Sequence, residues 1–382
     1  MIRQKLKGIY FQRVCFIFLF LLFMASCQKP DDTIANQRLT AAAYLAGGQT
    51  EGFQLAAEPR QFLFPADHGR HPGFRNEWWY LTGNVESESG RQFGYQVTFF
   101  ANAIRSEENQ TCDENNPWCT SHVWMAHAAI SDVQNRQHYA NEIFSRESPG
   151  LAGVQSDPFR LWIQDWQIIS ANSDFPWELE ILAEDFAISL HLTPRKDPVL
   201  QGNDGLSQKN DEPGNASYYY SLTRIETSGQ IYLDGESIPV SGESWLDREW
   251  STSALSANQS GWDWFSLQLN DGSELMYYQL RDLEGQSHPY SAGKTISLMG
   301  FDGILTNSDI TLQEIQDWIA PDGTRYTTQW RMQFGSNDWL INALFQDQLM
   351  DLTFQYWEGA VDVTDYDSGE KIGVGYLEMV RE

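Results

Sequence analysis

The chain of 382 residues is long enough for two domains of ordinary size, and 41% of its residues are hydrophobic, which supplies a sizeable core. Aromatic residues make up 14% of the sequence and the formal net charge is −27. This composition excludes a wholly disordered chain, and so acidic a protein is not expected to bind nucleic acid.

The first 26 residues have the features of a bacterial secretion signal. Basic residues at the start are followed by an unbroken apolar run at 14–25, which is shorter than the roughly 20 residues that a membrane-spanning helix needs. The run ends in Met-Ala-Ser-Cys, which resembles the cleavage box of a bacterial lipoprotein and predicts lipid on Cys27. An ordinary signal peptide with an incidental cysteine is the alternative.

The sequence after Cys27 predicts where the mature protein resides. Residues 27–58 are polar or rich in Ala and Gly, without clear periodicity, and are expected to form a flexible tether. The residue after the cysteine is Gln28 rather than Asp, which in enteric-type sorting indicates the outer membrane. We therefore expect a lipid-anchored protein of the cell envelope that faces the periplasm.

Two cysteines remain in the body of the chain, Cys112 and Cys119. An oxidising periplasm favours a disulfide that closes this short polar loop. A metal site is disfavoured because no histidine stands at the spacing needed to complete four ligands, and a redox pair usually has only two residues between its cysteines.

The body of the chain predicts an all-β protein. Segments rich in aromatic and β-branched residues, several with strict apolar–polar alternation, recur along it. The predicted strands are 93–100, 162–168, 179–183, 186–192, 218–225, 231–233, 262–269, 275–280, 326–334, 339–345 and 352–357. Turn sequences that end in Gly stand at 88–90, 227–229, 270–272, 321–323 and 367–369. Many short strands joined by such turns are typical of a sandwich or barrel.

Two segments are ambiguous at this level. Residues 312–319 fit a helix or a strand. Residues 194–214 are the most loop-like internal stretch, and they fit either a linker between domains or a long loop inside one domain.

Several motifs carry a resemblance to a known family. They are Asn-Glu-Trp-Trp-Tyr at 76–80 within the longer block 64–84, Met-Ala-His-Ala-Ala-Ile-Ser-Asp at 125–132, Ser-Trp-Leu-Asp-Arg-Glu-Trp-Ser at 244–251, Gly-Trp-Asp-Trp-Phe at 261–265, Trp-Glu-Gly at 357–359 and Gly-Val-Gly-Tyr-Leu-Glu at 373–378. In this order and spacing the set resembles the carotenoid hydratase/AttH family of tandem lipocalin-like proteins. The resemblance spans about residues 60–382.

The resemblance implies a fold and a range of functions. It implies two lipocalin-like antiparallel β-barrels packed together, which we place at 59–247 and 248–382, with a ligand cleft in or between them. Some members hydrate double bonds in carotenoids or isoflavonoids, and relatives of the fold assist cyclisations. AttH-like members are associated with an ABC exporter, and some carry the label of secreted hydrolases. The lipoprotein signal places this chain nearer the AttH-like branch.

Asp247 is the first candidate for a catalytic group. Strand alternation puts Trp245, Asp247 and Glu249 on one face and Arg248 on the other. An acid between large aromatic side chains loses solvation, which raises its pKa and suits it to protonate an alkene. Many relatives have His where this chain has Arg248, which argues against hydratase chemistry if that His is essential. The alternative is that 247–249 form a structural ion-pair corner.

Other polar residues have competing interpretations. His127 is a tentative second catalytic residue that faces the cavity or is satisfied in the core. Asp263 is expected to be an exposed acid behind an aromatic pair, and Glu77 to pair with a buried arginine, either Arg75 or Arg248. A metal site at the loop that holds Asp67, His68 and His71 is disfavoured because a loop does not pre-align its ligands, and no nucleophile elbow or nucleotide-binding loop occurs.

Two functions follow from these observations. The first is a carrier that binds a hydrophobic small molecule or lipid, with an ABC exporter as partner; the second is a hydratase or isomerase with Asp247 as general acid. The residues expected to line the ligand site are Trp79, Trp245, Glu249, Trp262, Trp264 and Tyr278. No cofactor or metal is expected. Convergence of Asp247 and His127 on one cavity with room for water would favour the enzyme, whereas an Asp247 locked by arginine would favour the carrier.

Overall fold

A computed structural model describes residues 50–106, 119–147, 150–253, 255, 256, 258–300 and 302–381. The predicted secretion signal, Cys27, most of the predicted tether and Cys112 lie outside these residues, so the lipid anchor and the disulfide stay predictions. Within the part of the chain that is described, no helix has the length and apolar character needed to cross a membrane.

The first half of the chain forms one antiparallel sheet that curls into a barrel. Its strands are β1 Asn76–Ser87, β2 Gln92–Ala103, β3 His122–Asp132, β4 Gln137–Arg146, β5 Ala152–Ser156, β6 Phe159–Ile163, β7 Trp166–Ile169, β8 Trp177–Leu182, β9 Phe186–Pro194, β10 Val199–Leu200, β11 Leu206–Gln208, β12 Ala216–Leu233 and β13 Glu236–Ser251. Their order across the sheet is β4-β3-β2-β1-β13-β12-β9-β8-β7-β6-β5, with β10 and β11 paired to β12. A single 3₁₀ turn, Ala66–His68, precedes β1 among the described residues.

The second half forms another antiparallel barrel-like sheet. Its strands are β14 Gln259–Leu269, β15 Glu274–Asp282, β16 Ala292–Ile296, β17 Asp302–Thr306, β18 Ile310–Ile319, β19 Arg325–Phe334, β20 Asn337–Ala343, β21 Leu349–Asp351, β22 Gln355–Asp365 and β23 Lys371–Val380. Their order is β17-β16-β15-β14-β23-β22-β20-β19-β18, with β21 paired to β22. The expectation of two antiparallel lipocalin-like barrels is confirmed.

Each barrel has its own core, and a third cluster of buried side chains joins them. Leu81 and Ile188 belong to the first core and Leu267 and Trp330 to the second. The third cluster contains Tyr80 and Trp245 from the first sheet together with aromatic residues from β14, β22 and β23 of the second. The barrels therefore pack through an aromatic layer. Along a strand that borders this layer, alternate side chains point into the core of the strand's own barrel and into the layer.

A glycine allows the closest approach between the two sheets. A Cβ on Gly94 of β2 would stand 2.7 Å from the Cβ of Ala360 on β22 and 3.1 Å from the hydroxyl of Tyr376 on β23. Contacts shorter than 3 Å are not tolerated in a packed interior, so only glycine lets the barrels meet at this distance.

Some local expectations were wrong. The segment 162–168 is a tight hairpin rather than one strand, because Gln164 has a positive φ of 53° between β6 and β7. The turn sequence 227–229 lies inside the long strand β12, since its residues stay paired with both β13 and β9. The ambiguous segment 312–319 is part of strand β18. Residues 194–214 are a long excursion within the first sheet, not a linker, because β10 and β11 pair with β12.

The ends of the predicted domains differ slightly from the sheet boundaries. The boundary placed between 247 and 248 falls inside β13, and the chain passes from the first sheet to the second after Ser251. The last residues of the predicted tether pack on the first barrel: the Gln54 amide donates to the Gly73 carbonyl at 2.9 Å, and Ala56 is buried. Any free tether therefore ends before Gln54.

Candidate functional site

The two sheets enclose an aromatic cavity of about 140 Å³. Strands β1, β2, β3, β12 and β13 supply one wall, and strands β14, β15, β22 and β23 supply the facing wall. The Trp, Tyr and Phe side chains that line it are Trp78, Tyr80, Phe100, Tyr219, Trp262, Trp264, Tyr278, Phe354 and Tyr356. A water molecule takes up about 30 Å³, so the space admits a small apolar group together with water.

Asp247 lies on β13 with its carboxyl at the cavity wall. Its Oδ1 accepts hydrogen bonds from Ser221 Oγ at 2.5 Å and Trp245 Nε1 at 2.6 Å, and its Oδ2 accepts one from the Tyr219 hydroxyl. Burial raises the pKa of Asp247 to about 7 against the effect of these three donors, and the charge of Glu249 adds to the rise. The carboxyl can therefore hold and release a proton near neutral pH.

Glu358 and Glu378 form a second acidic group on the facing wall. They stand directly opposite each other on β22 and β23. Glu358 Oε1 accepts a hydrogen bond from the Tyr80 hydroxyl, and Glu378 Oε1 accepts one from Trp262 Nε1 at 3.0 Å. Burial raises the pKa of both, and the charge of Glu378 adds to the rise at Glu358. Because opposed like charges repel across a strand pair, the two carboxyls retain a proton at neutral pH.

One buried cation, Lys209, lines the same cavity. Its Nζ lies 3.5 Å from Glu249 Oε1, 3.1 Å from Ser207 Oγ and 4.0 Å from the centroid of the Tyr278 ring. Burial opposes the charged form, but Glu249 and Tyr278 together outweigh it and the pKa of Lys209 is raised. Lys209 therefore pairs with Glu249, and the donors to Asp247 among the described residues, Tyr219, Ser221 and Trp245, are all uncharged.

His127 of β3 lies in the wall of the cavity. Its Nδ1 is 2.8 Å from the Tyr356 hydroxyl, and burial lowers the pKa of His127 to about 3. The imidazole is therefore neutral at ordinary pH and is a weak base.

Arg248 points away from the cavity, into the first barrel. Its Nη2 lies 2.7 Å from Glu77 Oε2 and donates to the Gly69 carbonyl at 2.5 Å, and its guanidinium carbon is 3.6 Å from the Trp79 ring centroid. Burial opposes ionisation of Glu77, but Arg248 and His71 outweigh it and lower the pKa of Glu77 to about 2. The expected pairing of Glu77 with a buried arginine is thus seen with Arg248.

Two further expectations are corrected by side-chain direction and burial. Trp79 does not face the cavity: alternation turns Trp78 and Tyr80 toward it, whereas Trp79 donates its indole N–H to the His68 carbonyl inside the first barrel. Asp263 points away from the flanking tryptophans, as expected, but it is buried rather than exposed.

Asp263 is buried because two arginines neutralise it. Arg281 Nε lies 2.7 Å from its Oδ2 and Arg381 Nη2 lies 2.5 Å from its Oδ1. In the loop before β1, Asp67 is 3.1 Å from His71 Nε2, and the other ring nitrogen of His71 faces Glu77. Among the described residues, no group of His, Cys, Asp and Glu side chains is arranged to hold a metal ion.

The cavity therefore gathers most of the predicted residues. Asp247, His127, Glu249, Trp262, Trp264 and Tyr278 line it, and Trp245 lies beside it as a donor to Asp247. Among the described residues no arginine pairs with Asp247, whereas Arg248 pairs with Glu77 and Glu249 with Lys209, so the alternative of an ion-pair corner at 247–249 is seen only in part and without Asp247. Convergence of Asp247 and His127 on one cavity is the arrangement that favours the enzyme over the carrier.

Glu358, Glu378 and Tyr219 line the cavity but were not predicted from the sequence. The two glutamates stand in motifs that carry the family resemblance, and the alternation in Tyr-Trp-Glu at 356–358 turns Tyr356 and Glu358 to one face. That signal was present, and the predicted turn at 367–369 joins β22 to β23, but a bulge between Val363 and Thr364 shifts the register that brings the two glutamates opposite each other.

The fold and the cavity define a class of protein: two lipocalin-like barrels with an acidic, aromatic-lined ligand site between them. The sequence model of the AttH-like family matches residues 55–381. The chain belongs to the AttH-like family. A comparison with curated protein sequences found no significant match.

Solved structures with the same fold include proteins of different origin. A crystal structure of an AttH candidate from Nitrosomonas europaea is 32% identical, covers 86% of this chain and 99% of its own, and has a TM-score of 0.76. Kievitone hydratase from Nectria haematococca is 13% identical, covers 87% of this chain and 98% of its own, and has a TM-score of 0.61. At 13% identity the likeness to the hydratase shows the fold alone.

Proposed function

We propose that this protein is an acid–base enzyme of the hydratase or isomerase kind that acts on a small apolar unsaturated compound in the cavity between the barrels. The observation that carries the proposal is the set of buried carboxyls with raised pKa, Asp247, Glu358 and Glu378, on facing walls of one aromatic cavity. Perturbed acids in a ligand cavity are typical of proton-transfer sites.

The arrangement supports a balanced reaction. The protonated Asp247 carboxyl gives its proton to one carbon of a double bond, and the cation that forms on the other carbon lies against aromatic faces such as Trp264. Water adds to that cation and loses a proton to the carboxylate of the Glu358–Glu378 pair, which gives an alcohol. If the pair instead takes a proton from the neighbouring carbon, the product is an isomeric alkene.

A carrier with the same cavity is the competing function. Aromatic walls suit retention of an apolar ligand, but a carrier has no need of three carboxyls whose burial opposes their ionisation. A structural neighbour, kievitone hydratase, is by name a hydratase, which agrees with the enzymatic alternative in reaction class only.

Deuterium incorporation tests the proposal. Small trisubstituted alkenes are incubated with the enzyme in D₂O and the products are analysed by mass spectrometry. Wild type is expected to incorporate deuterium, and Asp247→Asn to lose about 100-fold or more of the rate, as expected on removal of a general acid. Asp132→Asn is the matched control, since Asp132 is buried and paired with Arg91 outside the cavity. Equal rates in wild type and Asp247→Asn contradict the proposal.

We further propose that the protein acts in the cell envelope, anchored by lipid on Cys27 to the outer membrane and facing the periplasm, with an ABC exporter as partner. The cleavage-box sequence supports the anchor. Labelling with a radioactive fatty acid tests it: wild type is expected to be labelled and membrane-bound, and Cys27→Ser unlabelled. Crosslinking in membranes tests the exporter, whose absence among the products contradicts that partnership.

A further inference from the structure

We propose that Glu142, His127 and Tyr356 form a proton relay between solvent and the Glu358–Glu378 pair. The role of the relay in catalysis rests on the proposed function, but its geometry and its test do not. The relay connects the first barrel to the second, because its first two members are on β4 and β3 and the others are on β22 and β23.

The outer half of the relay lies where the first barrel meets solvent. Glu142 and His127 are directly opposite each other on β4 and β3. The side chain of Glu142 is 22% exposed, and its Oε1 accepts hydrogen bonds from the Thr353 amide at 3.0 Å and the Thr353 hydroxyl at 2.7 Å. The carboxyl is thus held in place at the edge of the first barrel, where the side chain is partly open to solvent.

Two unpaired atoms face each other at the next step. Glu142 Oε2 and His127 Nε2 are 3.7 Å apart, and both are buried with no hydrogen-bond partner among the residues that the structure describes. Buried polar atoms nearly always have a partner. A small shift, or one bridging water, completes this contact.

The inner half leads into the cavity. His127 Nδ1 is 2.8 Å from the Tyr356 hydroxyl, which is near enough to Glu358 for each to shift the pKa of the other. Glu358 Oε2 is likewise a buried atom without a hydrogen-bond partner within the described ranges. At two steps of the path, from Glu142 to His127 and from Tyr356 to Glu358, a buried oxygen or nitrogen atom is therefore able to form a further hydrogen bond.

The transfer step balances without charging the imidazole. Glu142 gives a proton to His127 Nε2 while Nδ1–H gives its proton to the Tyr356 oxygen, whose own proton passes to the Glu358 carboxylate. One proton has moved from Glu142 to Glu358, and His127 ends in its other neutral tautomer. The same steps in reverse carry a proton from Glu358 through Tyr356 and His127 to Glu142, which is the direction that removes the proton gained by the pair in the proposed reaction. A neutral histidine, which burial keeps from titrating, is suited to this concerted transfer.

The relay serves the proposed reaction by returning protons to equilibrium with solvent. The Glu358–Glu378 pair gains a proton from the attacking water, and Asp247 has lost one to carbon. Tyr80 donates to Glu358 and stands opposite Asp247 in the β1–β13 register, so it lies between the two acids. Exchange through the protein allows the acids to be reset while aromatic side chains exclude bulk water.

Hydrogen–deuterium exchange of the buried carboxyl tests the relay without any substrate. The full chain is mixed rapidly into D₂O, and the C=O band of the protonated carboxyl is followed by infrared spectroscopy, with Glu358→Gln used to assign the band. His127→Ala is expected to slow the exchange by about 100-fold, and added imidazole is expected to restore it. His138→Ala is the matched control, because His138 is a largely buried, neutral histidine bonded to Ser131 outside the cavity.

A second variant keeps the test decisive if His127→Ala is poorly folded. Glu142→Gln retains an oxygen for Thr353 but cannot give up a proton, and it is expected to slow the exchange while leaving the unfolding curve unchanged. Exchange at the wild-type rate in both variants overturns the relay, as does equal slowing in His138→Ala or failure of imidazole to rescue. Because no substrate is present, that outcome is independent of whether Asp247 protonates an alkene.

Discussion

The buried carboxyl of Asp247 makes the stability of the fold depend on pH. Its pKa is about 7 in the folded protein and about 3.8 in the unfolded chain. Between these values the folded state keeps a proton that the unfolded chain has released, so stability falls as the pH rises from about 4 to 7 and is constant above. The cost to stability above pH 7 comes from ionising a carboxyl that is buried in the folded protein.

Asp247→Asn is therefore expected to be more stable than wild type at pH 8, because asparagine has no charge to bury. The gain is up to about 4 kcal/mol, since one pKa unit corresponds to about 1.4 kcal/mol. Urea unfolding at pH 4 and pH 8 measures it. The difference between variant and wild type is expected to shrink at pH 4, where both are neutral, and a pH-independent difference would refute the raised pKa.

At this scale the sequence predicted one wall of the site. Alternation around Asp247 placed Asp247 and Glu249 on one face of the strand, and the structure has them there. Glu358 and Glu378 were not predicted, because their position at the site depends on being opposite each other on neighbouring strands. These strands form a hairpin through the turn at 367–369, and a bulge between Val363 and Thr364 shifts its register, which alternation alone does not reveal.

Alternation along strand β13 places acidic side chains on one face of the strand and an arginine on the other. Asp247 and Glu249 face the cavity, whereas Arg248 faces the first barrel and pairs with Glu77 of β1 at 2.7 Å. Both members of this pair are buried. Removing one partner leaves an uncompensated buried charge, which costs far more than removing both.

Glu77→Gln is expected to destabilise the protein by about 3–5 kcal/mol at pH 7. The double variant Glu77→Leu/Arg248→Met is expected to recover most of this loss, because neither charge remains. Denaturant unfolding of the two variants makes the comparison. Wild type is also expected to lose the contribution of Glu77 as the pH falls from about 4.5 to 2, since its folded pKa is depressed. A double variant no better than Glu77→Gln would contradict this account of the pair.

Elements were predicted best where alternation and turn chemistry agreed. The turns at 270–272 and 367–369 lie between strands, as predicted. The turn predicted at 227–229 does not form, because both strands that neighbour β12 continue past these residues. Hydrogen bonds between the strands override the local turn preference. The prediction of one strand at 162–168 was wrong for the opposite reason: a two-residue turn divides a segment whose alternation is that of a single strand.

The two barrels are joined by charge as well as by aromatic packing. Glu274 of β15 has a fully buried side chain, and it lies 2.6 Å from Arg224 Nε of β12 and 2.7 Å from Lys196 Nζ. The walls of the cavity come from both sheets, so its shape depends on how the two barrels pack. A change that moves the barrels apart is therefore expected to alter the site as well as the stability.

Gly94→Ala is expected to lower the free energy of unfolding by about 1–3 kcal/mol, because its Cβ would overlap Ala360 in the second barrel. Gly303→Ala is the matched control: its Cβ would meet only the Thr295 hydroxyl on a neighbouring strand, which can rotate. Calorimetry measures the loss of stability, and the fluorescence of the tryptophans that line the cavity reports the change at the site. Equal stability in both variants would mean that the barrels do not meet as closely as described.

At the scale of the whole molecule, the sequence predicted the two barrels but not where their shared cavity lies. Family motifs and regular strand spacing sufficed for the fold. The site arises where Trp78 and Tyr80 of one sheet face Trp262 and Trp264 of the other. That juxtaposition depends on how two curved sheets dock, and no periodicity within either sheet encodes it.

The central claim, that Asp247 supplies a proton to a double bond held between the barrels, is tested most directly by native mass spectrometry of the full chain purified from its own cells. Wild type is expected to release an unsaturated apolar molecule together with a companion one water heavier. Asp247→Asn is expected to release the unsaturated molecule alone. The same two species in the same ratio from both proteins, or from wild type a single ligand with neither a hydrated companion nor an isomer on chromatography, would contradict the claim and identify a carrier.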